Sequence, residues 1–529
     1  MIHSQSSLVR RFFSGTLLSR ASGMGRDLAM AFAFGDHPAV AAFMIAFRLS
    51  NLFRRLLGEG PLQSVLIPHF EGLRVKDSAS AAHFFRNLTF LLVILLIFIT
   101  LFSETILLSL LNFFQLSVDN QEIIQLTAWM FPGLIFICLY GINISALQCY
   151  ESFFLPSFAP FVCNLIWIGG ALYFRNAEPS LAMIELSKLV VVGFFFQWLI
   201  TFPLTAKNIT GNIKQWLIHK MEVPPEIKQL IKAFGFGMVV IGATQINGFL
   251  DALFARYADL KGPVYLWYSI RIEQLALAIF GMACVNTIVP SLSRAISAGN
   301  KGEAQMLFSL SYRRILTVMV PCTCALIFLG ASSIDLIYGR GHFSDFAVSQ
   351  TTLCLWAYGI GLIPSTFVLL FFAVLYAQKN FRIAGQIALG TIFIHILLNS
   401  FFIFGLGLGA ISTALATSIS SWIQSIALGR ILFKESWKAD RGNLLHLIGA
   451  TLFASCALFL LDSIFFNHAT LSIFLGNSAL FPKSTSDQLI LFLCEASCYI
   501  GSLFLYAFFF KNKDLLILFK EFTFTSNSK

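Results

Sequence analysis

From Phe84 to Asn112 the chain reads FFRNLTFLLVILLIFITLFSETILLSLLN. Arg86 near the start and Glu104 in the last third are its only charges. Coiled as an α-helix, these 29 residues would be about 44 Å long. The hydrocarbon core of a bilayer is only roughly 30 Å thick. A helix also satisfies every backbone N–H and C=O internally, which the membrane interior demands. The stretch therefore reads as a membrane-spanning helix.

Similar stretches lie on either side, at 12–34, 38–66, 123–149, 155–174, 181–205, 228–255, 263–293, 306–331, 348–377, 382–404, 407–432, 443–466 and 487–510. With 84–112 they make fourteen expected spans in an all-α, polytopic membrane protein. The first two are the least apolar and fall below a strict hydropathy cutoff. Composition agrees: 57% of the 529 residues are hydrophobic and 12% are charged, and the mean hydropathy is +0.78. Soluble domains carry about 25% charge, so this chain has too little charged surface to face water on all sides.

The net charge of +10 would point to nucleic acid in a soluble protein. Here the basic residues are spread over short loops, and topology is the simpler reading; no nucleic-acid partner is expected. With both termini placed on the cytoplasmic side, 24 Lys and Arg fall on inner loops and five on outer ones. That bias is the one that orients membrane proteins, and a missed span would scramble it. Arg10 and Arg11 before an apolar stretch resemble the start of a signal peptide. Arg20, Arg26 and Asp27 interrupt that stretch, so it reads as a retained first helix. The ten cysteines have no metal-ligand spacing and no disulfide framework.

A weak repeat suggests two halves. Val65-Leu66-Ile67-Pro68 resembles Thr287-Ile288-Val289-Pro290, 222 residues later. Leu147 and Phe153 match Leu375 and Phe381 at an offset of 228. Six intervening spans make the halves parallel, related by an axis along the membrane normal. No segment outside the membrane is long enough for a separate catalytic domain. The longest inner loop holds Trp216-Leu217-Ile218 between Lys214 and Lys220, which reads as a short interfacial helix.

The other seven basic residues, Arg20, Arg26, Arg48, Arg54, Arg55, Lys188 and Arg271, lie within spans. At 100° per residue, Ser19, Arg20, Gly23, Arg26 and Asp27 share one side of the first helix. Arg48, Asn51, Arg55 and Glu59 share an arc of the second, with Arg54 beside Asn51, and Pro61, which has no N–H to donate, is expected to kink that helix. Snorkelling to lipid head groups is the bland reading for any single arginine. For the set it is weaker. Each mid-membrane arginine costs roughly 2.5–3.5 kcal/mol, so four cost on the order of 10. Two carboxylates, Asp27 and Glu59, do not neutralise five arginines on adjacent helices. Surplus positive charge there points to a water-filled cavity that receives an anion, and the planar fork of arginine suits phosphate. Lys188 three residues after Glu185 reads as a structural pair, and Asp251 and Asn399 are weak candidates for a cation site.

Ser19-Arg20-Ala21-Ser22-Gly23-Met24-Gly25-Arg26-Asp27, Phe47-Arg48-Leu49-Ser50-Asn51-Leu52-Phe53-Arg54-Arg55 and Gly58-Glu59-Gly60 together resemble the MurJ (MviN) lipid II flippases of bacteria, as does Ile288-Val289-Pro290-Ser291-Leu292-Ser293. The resemblance implies the fold shared with multidrug and oligosaccharidyl-lipid exporters: two six-helix lobes in a V around a cationic cavity. It also implies two extra helices that groove the lipid tail. The expected division is 1–213, 214–436 and 437–529.

The implied substrate is lipid II, an undecaprenyl-pyrophosphoryl disaccharide-pentapeptide, flipped by alternating access across the bacterial inner membrane. Residue by residue, the resemblance assigns substrate binding to Arg20, Arg26, Arg54 and Arg271, and support or gating to Asp27, Glu59, Ser19 and Asn51. It implies no cofactor, coupling to membrane potential or a monovalent cation, membrane lipids and cell-wall synthesis machinery as partners, and a monomer. The rival readings are an exporter of another lipid-linked oligosaccharide, a drug antiporter of the same fold, and a membrane glycosyltransferase. Val40-Ala41-Ala42-Phe43 departs from the family, many of whose members carry an acidic residue there, and Asn399 stands where the family's ion site has a carboxylate.

Overall fold

The computed structural model describes residues 2–57, 61–211, 242, 245–378, 380–432, 441–465, 473, 482, 484–512 and 514–516. The expected interfacial segment around Trp216, most of the seventh span, Glu59 and the tail beyond 516 lie outside these residues. The described residues are helical, with no strand among them. By contacts the chain forms two compact units, Met1–Leu253 and Phe254–Lys529.

The first unit contains α1 (Ile2–Phe34), α2 (Pro38–Leu57), α3 (Pro61–Lys76), α4 (Ser78–Phe113), α5 (Val118–Met130), α6 (Gly133–Cys149), α7 (Phe154–Tyr173) and α8 (Pro179–Thr210). The turns follow from local chemistry. α1 stops where Gly35 takes a left-handed φ of 58°, a conformation that is cheap for glycine. Pro38 then starts α2 at a position whose N–H would have no helical partner. The described residues of the expected second span fall in α2 and α3, on either side of 58–60, which lie outside the described residues. The expected fourth span is likewise α5 and α6, bent by 47° around Pro132, which has no N–H to donate.

α4 is the quoted stretch. Its Ile94, Leu95, Phe98, Leu101 and Phe102 are exposed, and so continuous an apolar face is stable only against lipid or another apolar surface. α7 packs on α1 and α8. Gly193 of α8 permits one close approach, since a Cβ there would stand 2.8 Å from Cys163 Sγ.

The second unit contains α9 (Gly262–Ser297, with a π turn at Leu277–Gly281), α10 (Lys301–Phe328), α11 (Gly330–Tyr338), α12 (Asp345–Ala377), α13 (Phe381–Ser400), α14 (Ile411–Leu432), α15 (Arg441–Phe465) and α16 (Thr485–Phe509). α12 and α14 are held by hydrogen bonds from Ser418 Oγ to Ala357 O (2.6 Å) and from Trp422 Nε1 to Ile360 O (3.1 Å). α15 and α16 pack as a pair through Leu447, Ala450, Ala454 and Leu458 against Tyr499, Leu503 and Ala507. Tyr499 donates to Pro321 O of α10 at 2.9 Å, and Ser332 of α11 donates to Glu495.

The repeat has local counterparts in both units. Pro68 lies inside α3 and Pro290 inside α9. Leu147 O accepts from Ser152 N at 2.8 Å, and Leu375 O accepts from Asn380 N at 2.9 Å. Both leucines are fully buried, so each turn is anchored in the same way. Among the described residues, eight helices are long and apolar enough to cross a membrane, or nine with α5 and α6 taken as one bent span. The arginine-bearing α1 and α2 are not among them, as their low hydropathy predicts. The chain is a multi-pass, all-α membrane protein.

Candidate functional site

The polar side of α1 meets α7. Ser22 and Asp27 are buried there. Arg26 and Asp27 are adjacent in sequence, but the arginine stem is long enough to fold its guanidinium back over the carboxylate. Nε and Nη2 donate to Asp27 Oδ1 at 3.1 and 2.8 Å. Nη1 donates to Asn164 Oδ1 of α7 at 3.3 Å. The guanidinium carbon lies 4.6 Å from the Trp167 ring centroid, a favourable cation–π distance. Asn164 Nδ2 donates to Ser22 Oγ at 2.9 Å and to Ser19 O at 3.4 Å, latching α7 onto α1. Trp167 is wedged by Phe43 and Phe47 of α2, with centroids 5.3 and 4.9 Å away. Three helices thus fix one guanidinium whose side chain is 12% exposed.

Arg54 of α2 belongs to the same neighbourhood. Both Arg26 and Arg54 lie within electrostatic reach of the Cys163 thiol. Two arginines of this unit thus act on one α7 side chain, and guanidinium groups suit anionic ligands. The remaining expected residues are spread more widely. Arg20 is exposed on α1, so burial of the arginines is uneven. Asn51 is half-buried on α2, and Ser19 contributes its carbonyl to the Asn164 latch. Arg48 Nη1 donates to Gly248 O at 2.8 Å, tying α2 to the helical segment 245–253. Arg55 is exposed. The departure at Val40–Phe43 has a packing explanation: all four side chains are at most 1% exposed, which leaves a carboxylate no water.

In the second unit Arg271 lies over Trp267, 4.6 Å from the ring centroid. Glu273 is buried two residues further along α9. Asn399 is fully buried, with Nδ2 3.4 Å from both ring nitrogens of His395; His395 Nε2 is 3.3 Å from Thr417 Oγ1. Asp251, in the first unit, is buried. Among the described residues no three His, Cys, Asp or Glu gather as metal ligands. Lys188 and Glu185 form the expected pair at 2.6 Å, and all ten cysteines are free.

Asn164 and Trp167 were not singled out from sequence. Asn164 is the one amide in an apolar span, which is a usable signal. Trp167, three residues on, shares its face.

The class is a polytopic transporter fold. A solved inward-facing multidrug resistance MATE family transporter of the MOP superfamily aligns over 80% of this chain and 96% of its own, with TM-score 0.64 and 12% identity. A solved lipid II flippase MurJ in an inward closed conformation aligns over 93% of this chain and 99% of its own, with TM-score 0.70 and 22% identity. The family described as lipid II flippase MurJ matches residues 30–479. A probable lipid II flippase MurJ from Chlamydia pneumoniae is 31% identical over 97% of this chain and 94% of its own length. The chain belongs to the MurJ family. That is a family of transporters, not of enzymes.

Proposed function

We propose that the chain flips lipid II from the inner to the outer leaflet of the bacterial cytoplasmic membrane, with both termini cytoplasmic. The observation that carries this reading is the Arg26 guanidinium braced by Asp27 and Asn164, in a chain of the MurJ family. Arg20, Arg26 and Arg54 bind the pyrophosphate, and Arg271 is required for the same transport. Asp27 holds Arg26, with Ser19, Asn51 and Glu59 in support. The division into 1–213, 214–436 and 437–529 assigns the lipid tail to the last part. The protein works by alternating access, as a monomer beside cell-wall synthases. Binding of the anion offsets arginine repulsion and so favours the transporting state. The membrane potential resets the cationic site, at about 2.3 kcal/mol per charge per 100 mV. Monovalent-cation coupling through Asp251 and Asn399 is the secondary proposal.

Native mass spectrometry of the purified protein tests the assignment. Lipid II should be retained by the parent and lost from Arg26→Ala and Arg271→Ala variants of normal thermal stability. Undiminished lipid II on both variants would refute the site.

A further inference from the structure

The short helix α11 lies between α10 and α12, both long and apolar enough to cross a membrane. It packs on α12 and α16, and two polar ties join it to α16. Ser332 Oγ donates to Glu495. Seven residues on from Ser332, and seven back from Glu495, Gly339 O accepts from Gln488 Nε2 at 3.4 Å. The other proton of that amide goes to Pro482 O at 3.0 Å. Both N–H groups of Gln488 are thereby used. Its Oε1 is buried with no hydrogen-bond partner among the described residues.

Asp335 lies between the two ties on α11. It is 2% exposed, and its Oδ2 is also buried without a partner among the described residues. The carboxyl rests on Gly339, where a Cβ would collide with Oδ1. The Asp335 and Gln488 side chains are close enough to interact. Two buried acceptors together are costly, because each has lost water and neither meets a donor. An ionised Asp335 gets no help from Gln488, whose N–H groups are taken. A protonated Asp335 supplies the O–H that Gln488 Oε1 lacks, so one proton satisfies both groups.

The electrostatics agree. Asp335 is in the last turn of α11, where the helix dipole disfavours an anion. Burial pushes its carboxyl up to about 7 and Asp345 of α12 adds to the rise, with the nearby Gln488 amide and the Arg340 guanidinium opposing. Of the other charged groups on neighbouring elements, Glu495 is bound to Ser332, and Asp487 and His342 are exposed. α10 carries no charge from Ile315 to Phe328. The Tyr338 phenol ring packs on Tyr268 of α9, with centroids 4.5 Å apart.

We propose that Asp335 is a proton-binding site that fastens the outer end of α16 to α11. Protonated, it donates to Gln488 Oε1 and completes the seam. On losing that proton to bulk water it becomes a buried anion, and the seam loosens. Tyr499 still ties α16 to Pro321 O of α10, so release is confined to the end of α16 near Gln488. A carboxyl that holds its proton more tightly when docked favours docking in acid. An opened seam returns Asp335 to the ordinary value of about 4. The docking gain is therefore fully present below that value and is lost as the pH rises through about 7. Placing this end on the outer side rests on the orientation proposed above; the proton site does not.

Hydrogen–deuterium exchange of the full chain in detergent tests this, followed at peptides covering 485–495 and corrected for the intrinsic pH dependence of exchange. From one pH unit below the midpoint to one above, protection in the parent should fall about tenfold, as release of a single proton over that window requires. Asp335→Asn keeps an N–H for Gln488 Oε1 and cannot ionise, so its protection should stay at the acid value throughout. Asp345→Asn should keep the transition and lower its midpoint. Should Asp335→Asn fail to fold, that midpoint shift carries the test, and an unmoved midpoint then overturns the proposal. Parent protection that stays constant across the window, or a transition that survives in Asp335→Asn, overturns it as well. Protection that follows sodium concentration at fixed pH overturns it in favour of a bound metal cation.

Discussion

Each unit of the molecule lays an arginine over an indole at the same 4.6 Å, yet the two pairs are built differently. Arg26 of α1 meets Trp167 of α7, with Asn164 and Asp27 completing the grip. Arg271 meets Trp267 one turn earlier on its own helix, α9. The first is a tertiary arrangement in which three helices must be in place. The second is the ordinary i, i+4 neighbourhood of a helix surface. Arg26 is therefore held by contacts from other helices, whereas the Arg271–Trp267 contact lies within α9.

The largest test of that difference removes Asp27. Asp27→Ala leaves a largely buried guanidinium without its carboxylate and should destabilise the fold by about 3 kcal/mol, read as a lowered thermal midpoint. Glu273→Gln, two residues along α9 from Arg271, should lower it far less. Equal losses would erase the distinction. Next, Asn164→Ala removes the α1–α7 latch and should cost about 2 kcal/mol, with Asn164→Asp recovering the contact to Arg26 but not the donation to Ser22. A midpoint unchanged in both variants would make Asn164 a bystander. The smallest effects sharpen the comparison itself. A double-mutant cycle on Arg26 and Trp167 should give a coupling of about 1 kcal/mol, and one on Arg271 and Trp267 about 0.5. The reverse order would contradict the contrast between tertiary and local support.

The same contrast explains what the sequence disclosed. Arg26 and Asp27 are neighbours in the chain, so their pairing was visible as a polar stripe. Asn164 is 138 residues from Arg26, and no helical projection joins them. The membrane class followed from runs such as Leu88–Phe102, since length and apolarity alone decide it. Helix breaks were harder. Hydropathy continues through Phe131 and Pro132, so the 47° bend between α5 and α6 leaves no trace in it. Arg48 was legible as a charge in a span, but its carbonyl acceptor at Gly248 belongs to a distant segment.

The central claim is that the braced Arg26 binds the anionic group of the transported lipid. It is tested most directly by lipid II flipping in proteoliposomes containing the parent, Arg26→Lys or Arg26→Ala, each at matched protein content. Loss of one charge-assisted contact of roughly 1.5–3 kcal/mol predicts that Arg26→Ala slows flipping at least about tenfold. Arg26→Lys, which keeps the charge but not the planar fork, should lie between. Flipping by Arg26→Ala at the parent rate would contradict the claim.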